Sequence, residues 1–199
     1  MAGCASCGSL AAVTPEPTLP PSGMIVLPPD YLKAPKAHCE ARGMLLIINE
    51  AQTGIGRAGD LFAFMHADND VVLDVLTLSK TLGNGLPLSA VVVSDAIATV
   101  CRDRGYLFYT MHVNDPLPAA VGLKVLNVIV RDGPVGRSRR LGVRLQATLR
   151  ELQTRYTRMG DVGRRGLMAG LEIVADRETK TEATELGYMI AARMTELGF

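Results

Sequence analysis

The sequence has no tryptophan, only three histidines, and aromatic residues at 5% of its 199 positions. Stacking platforms for nucleobases are therefore scarce. An excess of one charge is missing too: 21 Lys+Arg oppose 20 Asp+Glu, for a net +1. Overall charge gives no reason to expect a nucleic-acid partner. No apolar run approaches the ~18 residues of a membrane span, residues 44–48 being typical of the longest, so no membrane partner is expected. The four cysteines, Cys4, Cys7, Cys39 and Cys101, are too few and too scattered to staple a chain of this length. No Lys or Arg precedes Lys33, so the start lacks the basic region of a secretory signal and the arginines of a transit peptide. A cytoplasmic location is the expectation. The histidines His38, His66 and His112 form no ligand pair, and Cys4-x-x-Cys7 alone supplies half a metal site, so no metal is expected.

The chain is instead rich in apolar residues, 48% of the total, which excludes a disordered chain. Residues 1–29 hold six prolines and read as loop, with at most a short strand near residues 10–13. Asp30 is placed to cap a helix running to Arg42 and ended by Gly43. Residues 44–48, 71–78 and 88–93 are apolar runs suited to strands buried on both faces of a parallel sheet. Ser94 caps a helix to about Arg104. A short strand is predicted near residues 107–110 and a helix from Pro116 to about Val130. After the Asp132-Gly133 turn, Pro134 opens a helix with Leu141, Leu145, Leu149 and Leu152 on one face. A strand near residues 167–174 and a helix from Glu182 to Leu197 complete the pattern. The alternation predicts an α/β fold. It divides into a Pro-rich segment (1–29), a first portion (30–133) and a smaller α+β portion (134–199). The pattern stops after a helix terminator in the middle of a β-α-β alternation, which reads as a piece of a larger architecture. Unpaired apolar edges of the sheet are then expected to drive aggregation or pairing.

Chemistry concentrates between residues 45 and 118. Leu-Leu-Ile-Ile-Asn49-Glu50-Ala-Gln52-Thr-Gly54-Ile-Gly56-Arg57 and Asp74-Val-Leu-Thr77-Leu-Ser79-Lys80 each read as a strand running into a loop of small or polar residues. Open parallel sheets bind ligands at those carboxyl ends. A lysine there, desolvated between apolar strands, has a lowered pKa and can attack a carbonyl to form a Schiff base. Taken singly, Lys80 reads first as a surface lysine in a loop, and the glycine pairs match no phosphate-loop pattern. From Arg131 to Arg165 ten arginines face three acids, which reads as a solvated basic face, with only Tyr156 as a stacking residue.

Taken together, these motifs resemble the class III (subgroup II) aminotransferases, fold type I enzymes dependent on pyridoxal 5'-phosphate. Within that family the likeness is greatest to the 2,2-dialkylglycine decarboxylase branch. It runs through Glu50-Ala-Gln-Thr-Gly54, Leu78-Ser-Lys80-Thr-Leu-Gly83, Gly105-Tyr-Leu-Phe-Tyr-Thr110, Asp115-Pro-Leu-Pro118 and Gly160-Asp-Val162. The resemblance implies the later half of a fold type I large domain followed by the start of a small C-terminal domain. It implies an amino acid substrate that loses CO2 or a proton and passes its amino group to a keto acid. It further implies a homodimer, or pairing with a full-length homologue. Lys80 matches the lysine that holds the cofactor covalently, and Gln52 the glutamine near its phenolic oxygen. Glu16 resembles a glutamate on the preceding loop, though it reads as readily as a solvated acid.

Three positions depart from that family. Asn49 stands where an Asp keeps the cofactor's ring nitrogen protonated, and a neutral amide cannot hold a pyridinium by charge. Glu50 is no substitute, since neighbours in extended chain face opposite ways. Met111 stands where a Thr binds phosphate across the dimer interface, leaving Thr110 as the nearest hydroxyl. Arg164 occupies an expected glycine, at a cost of about 1 kcal/mol if its φ is positive. The family's Gly-rich phosphate loop, stacking aromatic and carboxylate-binding arginine have no counterpart in this sequence. A catalytically impaired homologue is therefore the alternative reading.

Overall fold

Residues 10–19, 23–67 and 70–199 are described by the structure, a computed structural model. The Cys4-x-x-Cys7 pair lies outside the described residues. Four strands form the main sheet: β1 (Ala12–Val13), β4 (Leu45–Asn49), β5 (Val75–Leu78) and β6 (Ala90–Val93), in the order β1-β4-β5-β6. The first three are parallel, as the apolar runs predict for β4 and β5. β6 instead runs antiparallel to β5. The connection over residues 79–89 contains only a 3-10 turn, Lys80–Leu82, and a parallel return needs a crossover of a dozen residues or more. β6 is also not buried on both faces, since Val91 and Val92 are exposed.

β4 shows how the site is anchored. Leu46 and Ile48 are fully enclosed at 0% exposure while Leu45, pointing the other way, is half open to solvent. Each enclosed side chain contributes about 2–3 kcal/mol. They pack with Leu76, Leu78 and Leu82 from the next strand and turn, and with Leu32 and Cys39 from around helix α1 (Lys33–Glu40). That helix begins later than Asp30 predicts: Asp30 has φ 62 and pairs with Lys33 at 2.6 Å instead of capping. Pro35 sits in its first turn, where the lost N–H has no helical partner anyway.

Asp74 ties β5 to β4 just before the strand begins. Its N–H donates to Leu46 O at 3.0 Å while its carboxylate accepts Leu46 N–H at 2.8 Å and the Lys36 ammonium at 3.0 and 3.1 Å. Asp74→Ala is expected to cost about 2 kcal/mol, because it orphans the Leu46 N–H and leaves Lys36 only its longer pairing with Glu40 at 3.4 Å. Asp74→Asn should recover part of this, since its oxygen still accepts from Leu46; urea melts of the two variants would rank them.

Beyond β6, Ser94 caps α3 (Asp95–Asp103) by accepting from Ile97 N–H at 3.4 Å. No strand forms at residues 107–110. Leu107 and Tyr109 are more than 80% exposed, since their β propensity finds no partner strand. Two helices follow, α4 (Pro116–Asp132) and α5 (Pro134–Arg155), hinged on Gly133 at φ 60 with Pro134 at the first helical position. α5 packs on a hairpin of β7 (Met159–Arg165) and β8 (Met168–Asp176), which β9 (Thr181–Glu182) extends to a three-stranded sheet. At Gly142 a Cβ would strike the carbonyl oxygen of Gly166, so helix and hairpin turn touch backbone to backbone. β7 contains Arg164, whose φ lies outside the left-handed region, so the strain expected there is absent. Its guanidinium reaches Gln146 at 2.6 Å.

Three further elements precede β5: the antiparallel pair β2 (Thr18–Leu19) and β3 (Ile25–Val26) in the Pro-rich segment, and α2 (Phe64–Ala67). α6 (Thr184–Glu196) closes the chain. No helix among the described residues is long and apolar enough to cross a membrane.

Candidate active site

The last rung between β4 and β5 sets Asn49 opposite Thr77. Because the strands are parallel, both chains leave the sheet at the same edge. Three residues beyond that rung on each side stand Gln52 and Lys80, and they meet: Lys80 Nζ donates to Gln52 Oε1 at 3.0 Å. Lys80 is exposed, not desolvated between the strands as the sequence predicts. It forms no ion pair among the described residues, so its amine is held by a neutral acceptor. Its backbone is left-handed, φ 49, directly after extended Ser79. A side chain in that region costs about 1 kcal/mol or more, and such strain gathers at functional sites. The turn that holds it closes on Gly83, where a Cβ would collide with Leu86 O.

Asn49 is held on three sides. Its Oδ1 accepts from Ala51 N–H at 3.1 Å and from the Thr77 hydroxyl at 3.2 Å, while its Nδ2 donates to Glu16 Oε1 at 3.2 Å. Glu16 is thus no free loop acid. Glu50 turns the opposite way, into the fold, and is 1% exposed. Thr53 Oγ1 donates to it at 2.5 Å and Phe64 N–H at 2.8 Å. Sequence alone did not show that Glu50 holds residues 50–64 together.

Burial pushes the Glu50 carboxyl above its ordinary range, and the bonds from Thr53, Phe64 and Ala63 oppose that only in part. The folded state therefore binds this proton more tightly than the unfolded chain. Stability that is full below the ordinary carboxylate pKa of about 4.3 is lost as pH rises through the raised value. Glu50→Gln keeps an acceptor for Phe64 and a group to pair with Thr53. It is expected to flatten the fall in stability above about pH 4, read from thermal melts across pH.

Thr110 and Met111 stand apart from this group. Met111 is 93% exposed, and the Thr110 hydroxyl accepts the His112 N–H at 3.2 Å. Thr110 lines a separate cavity of about 520 Å3. No hydrogen bond among the described residues joins either of them to Lys80, Gln52 or Asn49. A larger cleft, about 790 Å3, opens beside Gln52 and Thr81 and runs to Arg57 and the start of α5. Part of the arginine-rich stretch is spent nearby: Arg139 and Arg165 both bind Asp60.

Residues 5–198 match the family model described as aminotransferase class-III. The chain belongs to that family. An uncharacterized aminotransferase of Schizosaccharomyces pombe is 47% identical over 193 residues, covering 97% of this chain and 43% of that protein. A leucine/methionine racemase of Thermococcus litoralis is 35% identical, covering 95% of this chain and 42% of its own length. The chain thus spans under half the length of these curated relatives. Among solved structures, taurine:2-oxoglutarate aminotransferase from Bifidobacterium kashiwanohense, in complex with pyridoxal phosphate and glutamate, superimposes with a TM-score of 0.87. It is 25% identical, and the match covers 94% of this chain and 43% of that one. A Bacillus anthracis aminotransferase gives 0.78 at 33% identity, over 88% of this chain and 40% of its own.

Class-III aminotransferases depend on pyridoxal phosphate, and the donor set at the sheet edge of this class-III chain fits that group. Lys80 offers an amine to an aldehyde. Gln52, its oxygen taken by Lys80, keeps an NH2 group for a ring oxygen. Asn49 keeps one N–H beyond the one given to Glu16. What the set lacks is a carboxylate at residue 49.

Proposed function

We propose that this chain carries the lysine-bearing portion of a transaminase site, with residues 30–133 holding the cofactor and 134–199 forming part of a smaller domain. The reaction is transfer of an amino group from an amino acid to a keto acid. The observation that supports it most is the contact of Lys80 with Gln52 where β4 and β5 end together. When bound, pyridoxal phosphate supplies an electron-withdrawing ring conjugated to the substrate nitrogen. Lys80 would hold the cofactor through its aldehyde carbon, and Nζ is the group that would move a proton at the substrate α-carbon. Gln52 Oε1 fixes the direction of the Lys80 amine, and Gln52 Nε2 would be the donor toward the cofactor's phenolic oxygen.

The decarboxylating form of the reaction, on a 2,2-dialkylglycine, is supported by the stretch Gly105-Tyr-Leu-Phe-Tyr-Thr110 alone. The same stretch, exposed at Tyr106, Leu107, Phe108 and Tyr109, is the surface we propose for pairing with a second copy or a full-length homologue, in the cytoplasm. Asn49 favours a second reading, a cofactor binder with weakened catalysis.

A single experiment separates these readings. The chain is loaded with pyridoxal phosphate and given alanine or 2-methylalanine in excess. Keto acid from alanine supports transamination, and CO2 with acetone from 2-methylalanine supports the decarboxylating branch. A loaded chain that releases neither product supports the weakened binder and overturns amino-group transfer.

A further inference from the structure

Asn49 is not free to choose which end of its amide it presents. The Ala51 N–H can only donate, so the atom 3.1 Å from it is the amide oxygen. An ionised Glu16 can only accept, so the atom 3.2 Å from its Oε1 is the amide nitrogen. The Thr77 hydroxyl, at 3.2 Å, donates to the same oxygen as Ala51. Ala51 and Glu16 fix the orientation, and the Thr77 hydroxyl, able to donate or accept, donates in keeping with it, so both lone pairs of the oxygen are filled. One hydrogen of Nδ2 is given to Glu16 and one is left. Any ligand atom brought against Asn49 therefore meets a donor and never an acceptor.

We infer that Asn49 is a donor-only contact, locked by Ala51, Thr77 and Glu16, which takes the cofactor with its ring nitrogen unprotonated. The inference rests on the cofactor reading above. A protonated nitrogen would set N–H against N–H, leaving a desolvated donor without a partner, a preference of roughly tenfold to a hundredfold for the unprotonated ring. An unprotonated ring also withdraws electrons less, which suits a site that stabilises a carbanion weakly.

The test uses the full chain with pyridoxal phosphate labelled with 15N at the ring, its attachment to Lys80 verified by borohydride reduction and peptide mapping of a parallel sample. The 15N chemical shift is then followed from about pH 6 to 9, around the neutral range where the two forms compete. The expected result is the unprotonated shift throughout in the unmodified chain and in Glu16→Gln, which keeps an acceptor for Nδ2. Asn49→Asp is expected to give the protonated shift. A protonated nitrogen in the unmodified chain overturns the inference. If that signal then disappears in Glu16→Gln, Glu16 and not Asn49 meets the ring. Absence of any Lys80 adduct overturns the cofactor reading, and the inference falls with it.

Discussion

Asn49→Asp is expected to make stability depend on pH in a way that the unmodified chain does not. The new carboxylate keeps the donors on one oxygen, Ala51 N–H and the Thr77 hydroxyl. Its other oxygen takes the place of Nδ2, 3.2 Å from Glu16 Oε1. Two carboxylates at that distance share one proton, and the upper pKa of the pair is raised. The sign follows from that direction. The pair is stable while it holds its proton, and the stability is lost as pH rises through the raised value. The variant should match the parent near pH 5 and fall short of it by about 1–3 kcal/mol at pH 8. Adding Glu16→Gln leaves a single carboxylate and should remove the loss. An Asn49→Asp variant whose difference from the parent is the same at both pH values would mean that Glu16 does not face residue 49.

The second large effect concerns Lys80. Lys80→Ala is expected to reduce covalent capture of pyridoxal phosphate to background while leaving the fold intact. Its side chain is exposed and bonds only to Gln52 among the described residues. Because the backbone there is left-handed, Lys80→Gly removes the strain that alanine retains. Up to about 1 kcal/mol of relief is offset in part by the greater freedom of glycine in the unfolded chain. The glycine variant should therefore melt no lower than the alanine variant, with capture lost equally in both. A glycine variant much less stable than the alanine one would contradict the geometry of this turn.

The parts of this site that the sequence made legible are the local ones. β4 follows from an unbroken apolar run and β5 from the latter part of the run over 71–78, which Asp74 interrupts, and the α4–α5 hinge from Asp132-Gly133-Pro134. The placement of Lys80 at the carboxyl end of the sheet was legible, while its direct contact with Gln52 is shown only by the structure. What escaped depends on pairing across the chain. The antiparallel course of β6 is decided by the connection over 79–89, not by the composition of the strand. Residues 107–110 have strand propensity but no neighbour to pair with. Glu16 meets Asn49 only because residues 14–17 lie beside the end of β4, where Asn49 N–H bonds Pro15 O at 3.0 Å. Glu50 was recognised as facing away from Asn49, but its anchoring of residues 50–64 required knowing where Phe64 returns. The weakness of the site was visible, since Asn49 is neutral whatever surrounds it. That its amide is locked by three partners was not.

The account stands or falls on whether this sheet edge captures the cofactor at one lysine. The direct measurement is to mix the purified chain with pyridoxal phosphate, follow the visible absorbance, reduce with borohydride and map the modified peptide. The account predicts one saturable adduct, on Lys80. No adduct, or labelling spread over Lys33, Lys36, Lys124 and Lys180 as readily as Lys80, would contradict it.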